Sequence, residues 1–151
     1  MELKKLRDYP EYRKQAAKWF SGKWGIPVQE YDESMKECIQ QQTGIPQWYL
    51  VTSQQGEIIA GAGVIDNDFH QRKDLTPNLC ALYVEASYRH REIAKSILDF
   101  VRSDLKGFGF SKVYLVTDHT TFYERCGWQF FTTVLGEDGI PERMYVATTD
   151  I

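Results

Sequence analysis

The sequence predicts an α+β fold, a single mixed, mostly antiparallel sheet covered by helices. Three observations predict it. Two amphipathic stretches with helical spacing lead the chain, a run of short β-rich segments follows, and a strand–helix–strand unit interrupts that run once. A lone unit of that kind implies a right-handed crossover and one parallel strand pair. At 151 residues, 42% hydrophobic and 26% charged, the chain reads as one globular domain, 1–151.

Pro10 suits a first-turn position, and Tyr12, Ala16, Trp19 and Phe20 recur at helical spacing, with Gly22 and Gly25 at the exit. Pro27 opens a second helix whose stripe is Val28, Tyr31, Met35, Cys38 and Ile39; Gly44 and Pro46 end it. Trp48–Ser53 and Glu57–Ile65 are β-formers around the turn Gln54–Gly56, a hairpin. A polar loop, Asp66–Asn78, is long enough to suggest function, and Leu79–Glu85 is a third strand. Ile93, Ile97, Leu98, Val101 and Leu105 form one helical stripe that Gly107 closes. The strand Lys112–Asp118, a short helix over Thr120–Arg125, and two strands, Trp128–Leu135 and Glu142–Thr149, complete an order of α-α-β-β-β-α-β-α-β-β.

Charge is uneven. Residues 1–25 hold seven bases against three acids, and residues 26–75 three bases against eight acids. The overall charge of −3 argues against a nucleic-acid partner, which calls for a basic patch. Cys38, Cys80 and Cys126 are odd in number and lack CxxC spacing, so they read as buried thiols rather than a disulfide framework, and no His/Cys spacing suits a metal. The N-terminus has no apolar signal core, and no 18-residue apolar run exists. The expectation is a cytoplasmic protein without a membrane partner.

The chemistry concentrates in LYVEASYRHREIA, Leu82–Ala94. A strand ends and a helix begins within a few residues, and Arg89, His90 and Arg91 lie at the helix mouth. Free N–H groups, the positive end of the helix dipole and two guanidinium groups together make an anion site. The segment resembles the acetyl-coenzyme-A pyrophosphate loop, V-x-x-x-x-R-x-x-G-x-G/A, of the GNAT superfamily of N-acetyltransferases. Val84, Arg89, Ile93 and Ala94 fall on that pattern; His90 and Glu92 stand where glycines are common. Glu92 has two opposed readings. Its side chain can crowd and repel a phosphate, or it can point to solvent at the helix start. A second segment, FYERCGW over Phe122–Trp128, resembles the F-Y-x-x-x-G-F element of the same superfamily, and the likeness covers about Tyr49–Val146.

The resemblance implies a sheet flanked by helices on both faces, with the parallel strands splayed to admit the pantetheine arm of acetyl-coenzyme A. Leu82, Tyr83 and Val84 would offer it their backbone, and Arg89, His90, Arg91, Glu92, Ile93 and Ala94 would surround the pyrophosphate. It implies direct attack by a primary amine on the thioester, no metal, and Tyr123 as the acid that protonates the leaving thiolate, since a phenol with pKa about 10 keeps its proton at neutral pH. The proton acceptor is open among Glu85, Asp66, Asp68, His70, Asp118 and His119, with Asp118 also suited to cap the short helix. The amine, on a small molecule or a peptide, would meet an acidic rim of Glu30, Asp32, Glu33, Asp66 and Asp68, with Trp24 or Tyr31 to stack on it. The rival reading is a degenerate module that binds coenzyme A or a protein without turnover. The C-terminal edge strand offers pairing with a second copy, a homodimer.

Overall fold

The computed structural model describes all 151 residues, Met1–Ile151. Seven strands, β1 (Glu2–Lys5), β2 (Gln47–Thr52), β3 (Ile58–Ile65), β4 (Asn78–Val84), β5 (Lys112–Val116), β6 (Gln129–Leu135) and β7 (Pro141–Thr148), run in the order β1-β2-β3-β4-β5-β7-β6. The β1–β2, β2–β3, β5–β7 and β6–β7 pairs are antiparallel, and β4 pairs with β5 in parallel at Asn78↔Tyr114. The helices are α1 (Arg13–Trp24), α2 (Val28–Gln41), α3 (Ile93–Gly107) and α4 (Thr120–Arg125). The mixed sheet with one parallel pair is the architecture the sequence predicts.

One strand escapes the sequence reading. β1 pairs with β2 from Glu2↔Thr52 to Lys5↔Tyr49. Its inward residue is Lys4, 8% exposed, so the usual apolar alternation is missing. The Lys4 ammonium reaches Thr52 Oγ1 at 2.5 Å and lies 5.2 Å and 5.7 Å from the ring centres of Tyr9 and Tyr12. Pro10 opens a 3-10 turn, Pro10–Tyr12, rather than the helix itself, which starts at Arg13.

The chain divides into two compact units, Met1–Val64 with Ala81–Ile97, and Ile65–Cys80 with Leu98–Ile151. The first is built on aromatic rings. Phe20 stacks on Tyr31 at 5.6 Å and meets Trp48 edge-on at 4.9 Å, and Trp48 Nε1 donates to Ser34 Oγ at 2.9 Å. Rings this large fit because the β3 sequence IIAGAGVI leaves out side chains beneath them. A Cβ on Gly61 would lie 2.8 Å from both Phe20 Cζ and the Tyr49 carbonyl, and one on Gly63 would enter the Trp48 ring. In the second unit, Leu75, Val134 and Met144 pack with Tyr114 and Val116, and Arg102 Nε donates to the Thr148 carbonyl at 2.7 Å. All three cysteines are buried thiols that form no disulfide, in keeping with their use as small apolar residues. No helix is long and apolar enough to cross a membrane.

The glycine requirement is testable. Gly61→Ala and Gly63→Ala should each cost about 1–3 kcal/mol in urea unfolding, because the neighbouring atoms are backbone or a tethered ring and cannot yield cheaply.

Candidate active site

β4 does not run straight. Asn78, Leu79 and Cys80 are buried in succession, and Ala81 then takes a φ of 57°, a left-handed kink inside a strand. From Ala81 to Val84 the residues are half-buried. Hydrogen bonding to β3 continues at Glu85, whose N–H donates to the Ile59 carbonyl at 2.8 Å. Glu85 is then spent on an ion pair, 2.5 Å from Lys23 Nζ, which makes it a poor proton acceptor.

A 3-10 turn, Ala86–Tyr88, leads to Arg89, with extended φ and ψ of −69° and 161°. His90 and Glu92 follow with φ of 66° and 59°. Glu92 stands at the first glycine of the pyrophosphate-loop pattern and His90 where glycine is common, and both adopt glycine's left-handed backbone without being glycine. Alternation of this kind turns successive N–H groups toward one side and forms an anion-binding concavity. The Glu92 carbonyl accepts the Ser96 N–H at 3.0 Å, so Glu92 sits at the cap of α3, and the N–H groups of Ile93 and Ala94 have no acceptor within the helix. Arg89, His90, Arg91 and Glu92 are all exposed. Arg89 braces the loop: its Nε donates to the Val84 carbonyl at 3.0 Å and its guanidinium lies 5.3 Å from the Tyr83 ring centre. The chemistry of this set, two guanidiniums and a left-handed backbone at a helix start, fits a diphosphate; only the Glu92 carboxylate opposes one.

The second unit holds the titratable groups. Tyr123 on α4 is 8% exposed, and burial, with Cys126 adding to it, pushes its phenol up to about 12. The ring lies edge-on to Phe122 at 5.0 Å and to Trp128 at 6.1 Å. At that pKa the phenol is a proton donor at neutral pH and not a base.

A cleft of about 380 Å³ is lined by Val116, Thr117, Asp118, Ile140, Pro141 and Glu142. Asp118 is not the cap of α4. His119 holds that position without a side-chain bond, and Thr117 Oγ1 accepts the His119 N–H at 2.9 Å, a local turn before the helix. Burial and then the Glu142 charge raise Asp68 to about 6. Glu142 is itself raised, by burial, then Asp138, with Asp118 contributing. Glu142 was not singled out by sequence reading, because an acid following a turn looks like any solvated residue until the fold gives it acidic neighbours.

His70 is no base. It is wholly buried; its Nδ1 accepts the Arg72 N–H at 3.2 Å, which leaves the proton on Nε2, 2.5 Å from Asn78 Oδ1. Asn78 is fixed in turn by donating to the Leu75 carbonyl at 2.7 Å. His70 thus anchors the Asp66–Asn78 loop, which the Gln71 N–H also ties to the Leu135 carbonyl at 2.8 Å. Three members of the expected acidic rim are already engaged: Asp32 by Arg13 at 2.9 Å and Lys36 at 3.4 Å, Glu33 by the Gln29 amide at 3.2 Å, and Asp66 by the Thr76 hydroxyl at 2.9 Å. Tyr31, expected as a stacking surface, is buried against Phe20 and 5% exposed, whereas Trp24 is 47% exposed.

Residues 46–130 match the family model of the acetyltransferase (GNAT) domain. The chain belongs to the GNAT acetyltransferase family. It is by that membership an acyltransferase. Solved GNAT structures share the fold across the whole chain. The aminoglycoside 6'-N-acetyltransferase from Enterococcus faecium aligns over 100% of this chain and 98% of its own, with a TM-score of 0.74 and 18% identity. An aminoglycoside 6'-N-acetyltransferase solved with coenzyme A aligns over 100% and 98%, with a TM-score of 0.70 and 18% identity. A spermidine N-acetyltransferase from Vibrio cholerae aligns over 99% and 95%, with a TM-score of 0.69 and 11% identity. No curated protein matches at the level of sequence.

The raised Asp68 sets a pH test. A carboxyl whose folded pKa lies above its unfolded value of 3.8 stabilises the fold only while protonated, so its contribution is lost as pH rises through about 6. Asp68→Asn should therefore gain about 1–2 kcal/mol over the parent in urea unfolding at pH 8, a value discounted for partial solvent exposure, and nothing near pH 3.5.

Proposed function

We propose that this protein transfers the acetyl group of acetyl-coenzyme A directly to a primary amine of a cationic small molecule or peptide. The observation that carries the reading is the left-handed backbone at His90 and Glu92, which keeps the anion-binding path of the loop although neither residue is glycine. It supports binding of the cofactor, and turnover is what separates the enzyme from a module that binds coenzyme A without catalysis. Bound acetyl-coenzyme A supplies an activated acetyl thioester. The N–H groups from His90 to Ala94, with Arg89 and Arg91, would hold the diphosphate, and the backbone of Leu82, Tyr83 and Val84 the amide-bearing arm. Tyr123 keeps its proton at working pH and gives it to the departing sulfur. Asp68, with a pKa of about 6, is ionised at neutral pH and accepts the proton that the incoming ammonium must lose. We take the whole chain, 1–151, to act as one acetyltransferase domain.

The acceptor follows from charge. Asp68, Asp118, Asp138 and Glu142 share one field around a cleft, which suits a substrate carrying more than one ammonium. The similar structures named for aminoglycoside and spermidine acetylation support that class. Buried thiols that form no disulfide support a cytoplasmic, reducing setting. β6, at the end of the strand order with Phe130, Phe131 and Leu135 exposed, supports pairing with a second copy.

The direct test is calorimetry with coenzyme A followed by thiol release from acetyl-coenzyme A over a panel of polyamines, aminoglycosides and basic peptides. Binding and release are expected; binding with no release from any amine would favour the non-catalytic module. Tyr123→Phe should lower kcat by about 10²-fold and leave coenzyme A affinity nearly unchanged, as loss of a general acid does. Arg89→Ala should weaken coenzyme A binding by about 1–3 kcal/mol by calorimetry, through the lost phosphate contact and the lost brace on Val84.

A further inference from the structure

The last turn of α1 grips β4 at two points. Trp24 is the final residue of the helix, and Gly25, with φ of 73°, closes it by donating to the Ser21 carbonyl at 2.8 Å. The Trp24 indole Nε1 donates to the Ala81 carbonyl at 3.1 Å, and its ring stands edge-on to Tyr83 at 6.2 Å. One residue earlier, Lys23 Nζ pairs with Glu85 at 2.5 Å and lies 5.1 Å from the Tyr83 ring centre. The two contacts bracket Leu82–Val84.

Burial does not account for Trp24. It is 47% exposed, while Trp48 and Trp128 are 2% and 1% exposed. What it supplies is a donor with a fixed reach, because an indole offers one N–H and accepts nothing. What it meets is the carbonyl of the one residue of β4 whose backbone is left-handed. A buried or half-buried carbonyl needs a partner, and alanine has no intrinsic preference for the left-handed conformation.

We propose that Trp24 is a positioning residue of the acetyl-transfer site: its indole N–H holds the Ala81 carbonyl, maintains the kink in β4, and thereby sets the direction in which the backbone groups of Leu82–Val84 face the cofactor. The proposal rests on the function given above, since only that reading assigns these groups an amide-bearing arm. Trp24 touches no reacting atom in this role. Lys23 fixes the far end of the same segment through Glu85.

The role separates from simple packing because the kink can be supported in another way. Glycine enters the left-handed region without the Cβ penalty, so Ala81→Gly supplies from the backbone what the indole supplies from outside. In the free protein, Trp24→Phe keeps a ring and removes the donor. It should speed amide hydrogen exchange at Leu82–Val84 about tenfold and raise the Kd for coenzyme A about five- to tenfold. Combining Trp24→Phe with Ala81→Gly should return both readouts to within about twofold of Ala81→Gly alone, a coupling that independent sites do not show. Lys23→Met should move both readouts in the same direction by a smaller factor. Unchanged exchange and affinity in Trp24→Phe would overturn the proposal, and so would a loss that persists undiminished when Ala81→Gly is added. If the parent protein bound no coenzyme A, the function would fall, while hydrogen exchange in the free protein would still report whether Trp24 holds the kink.

Discussion

Three residues, Ala81 within β4 and His90 and Glu92 between β4 and α3, hold left-handed backbone with side chains that disfavour it. Each such residue costs on the order of 1–3 kcal/mol, and the conformation persists only where its surroundings impose it. Those surroundings are identifiable. The Trp24 indole takes the Ala81 carbonyl, Arg89 takes the Val84 carbonyl, Lys23 ties down Glu85, and the Glu92 carbonyl starts the hydrogen-bond ladder of α3. The segment is therefore shaped by neighbours rather than by permissive residues. The left-handed path of the loop therefore does not depend on glycine so long as its supports remain.

The second unit is organised around a different constraint, the cost of bringing carboxylates together away from water. His70 and Asn78 form a closed hydrogen-bonded pair that pins the Asp66–Asn78 loop, and the loop delivers Asp68 toward Glu142. The resulting repulsion is paid in stability and returns as a carboxylate with proton affinity near the working pH, the property a proton acceptor needs. Burial raises the Tyr123 phenol in turn, so that it holds its proton at neutral pH. The proposed mechanism uses this separation, with one group as acid and the other as base.

Much of this was legible in the chain. Periodicity places α2 and α3, the β2–β3 hairpin and the lone crossover, because each buries a stripe whose spacing is that of its element. Strand β1 was not legible, since its inward residue is a lysine whose charge is met by Thr52 and two tyrosine rings from elsewhere in the chain. Val84, Arg89 and Ala94 are legible as members of the pyrophosphate-loop pattern because they lie within eleven residues of one another.

Local order in the sequence thus determined the fold class, the family and the loop, for these depend on residues within a few positions of one another. Tertiary structure alone decided that His70 is locked on Asn78, that Asp118 does not cap α4, that Tyr31 is core and Trp24 is exposed, and that Asp68 feels Glu142. The reason is physical. A pKa, a tautomer and a hydrogen-bond partner are set by atoms within a few ångströms, and in a folded chain those atoms belong to residues that lie as far apart in sequence as Asp68 and Glu142, or Trp24 and Ala81.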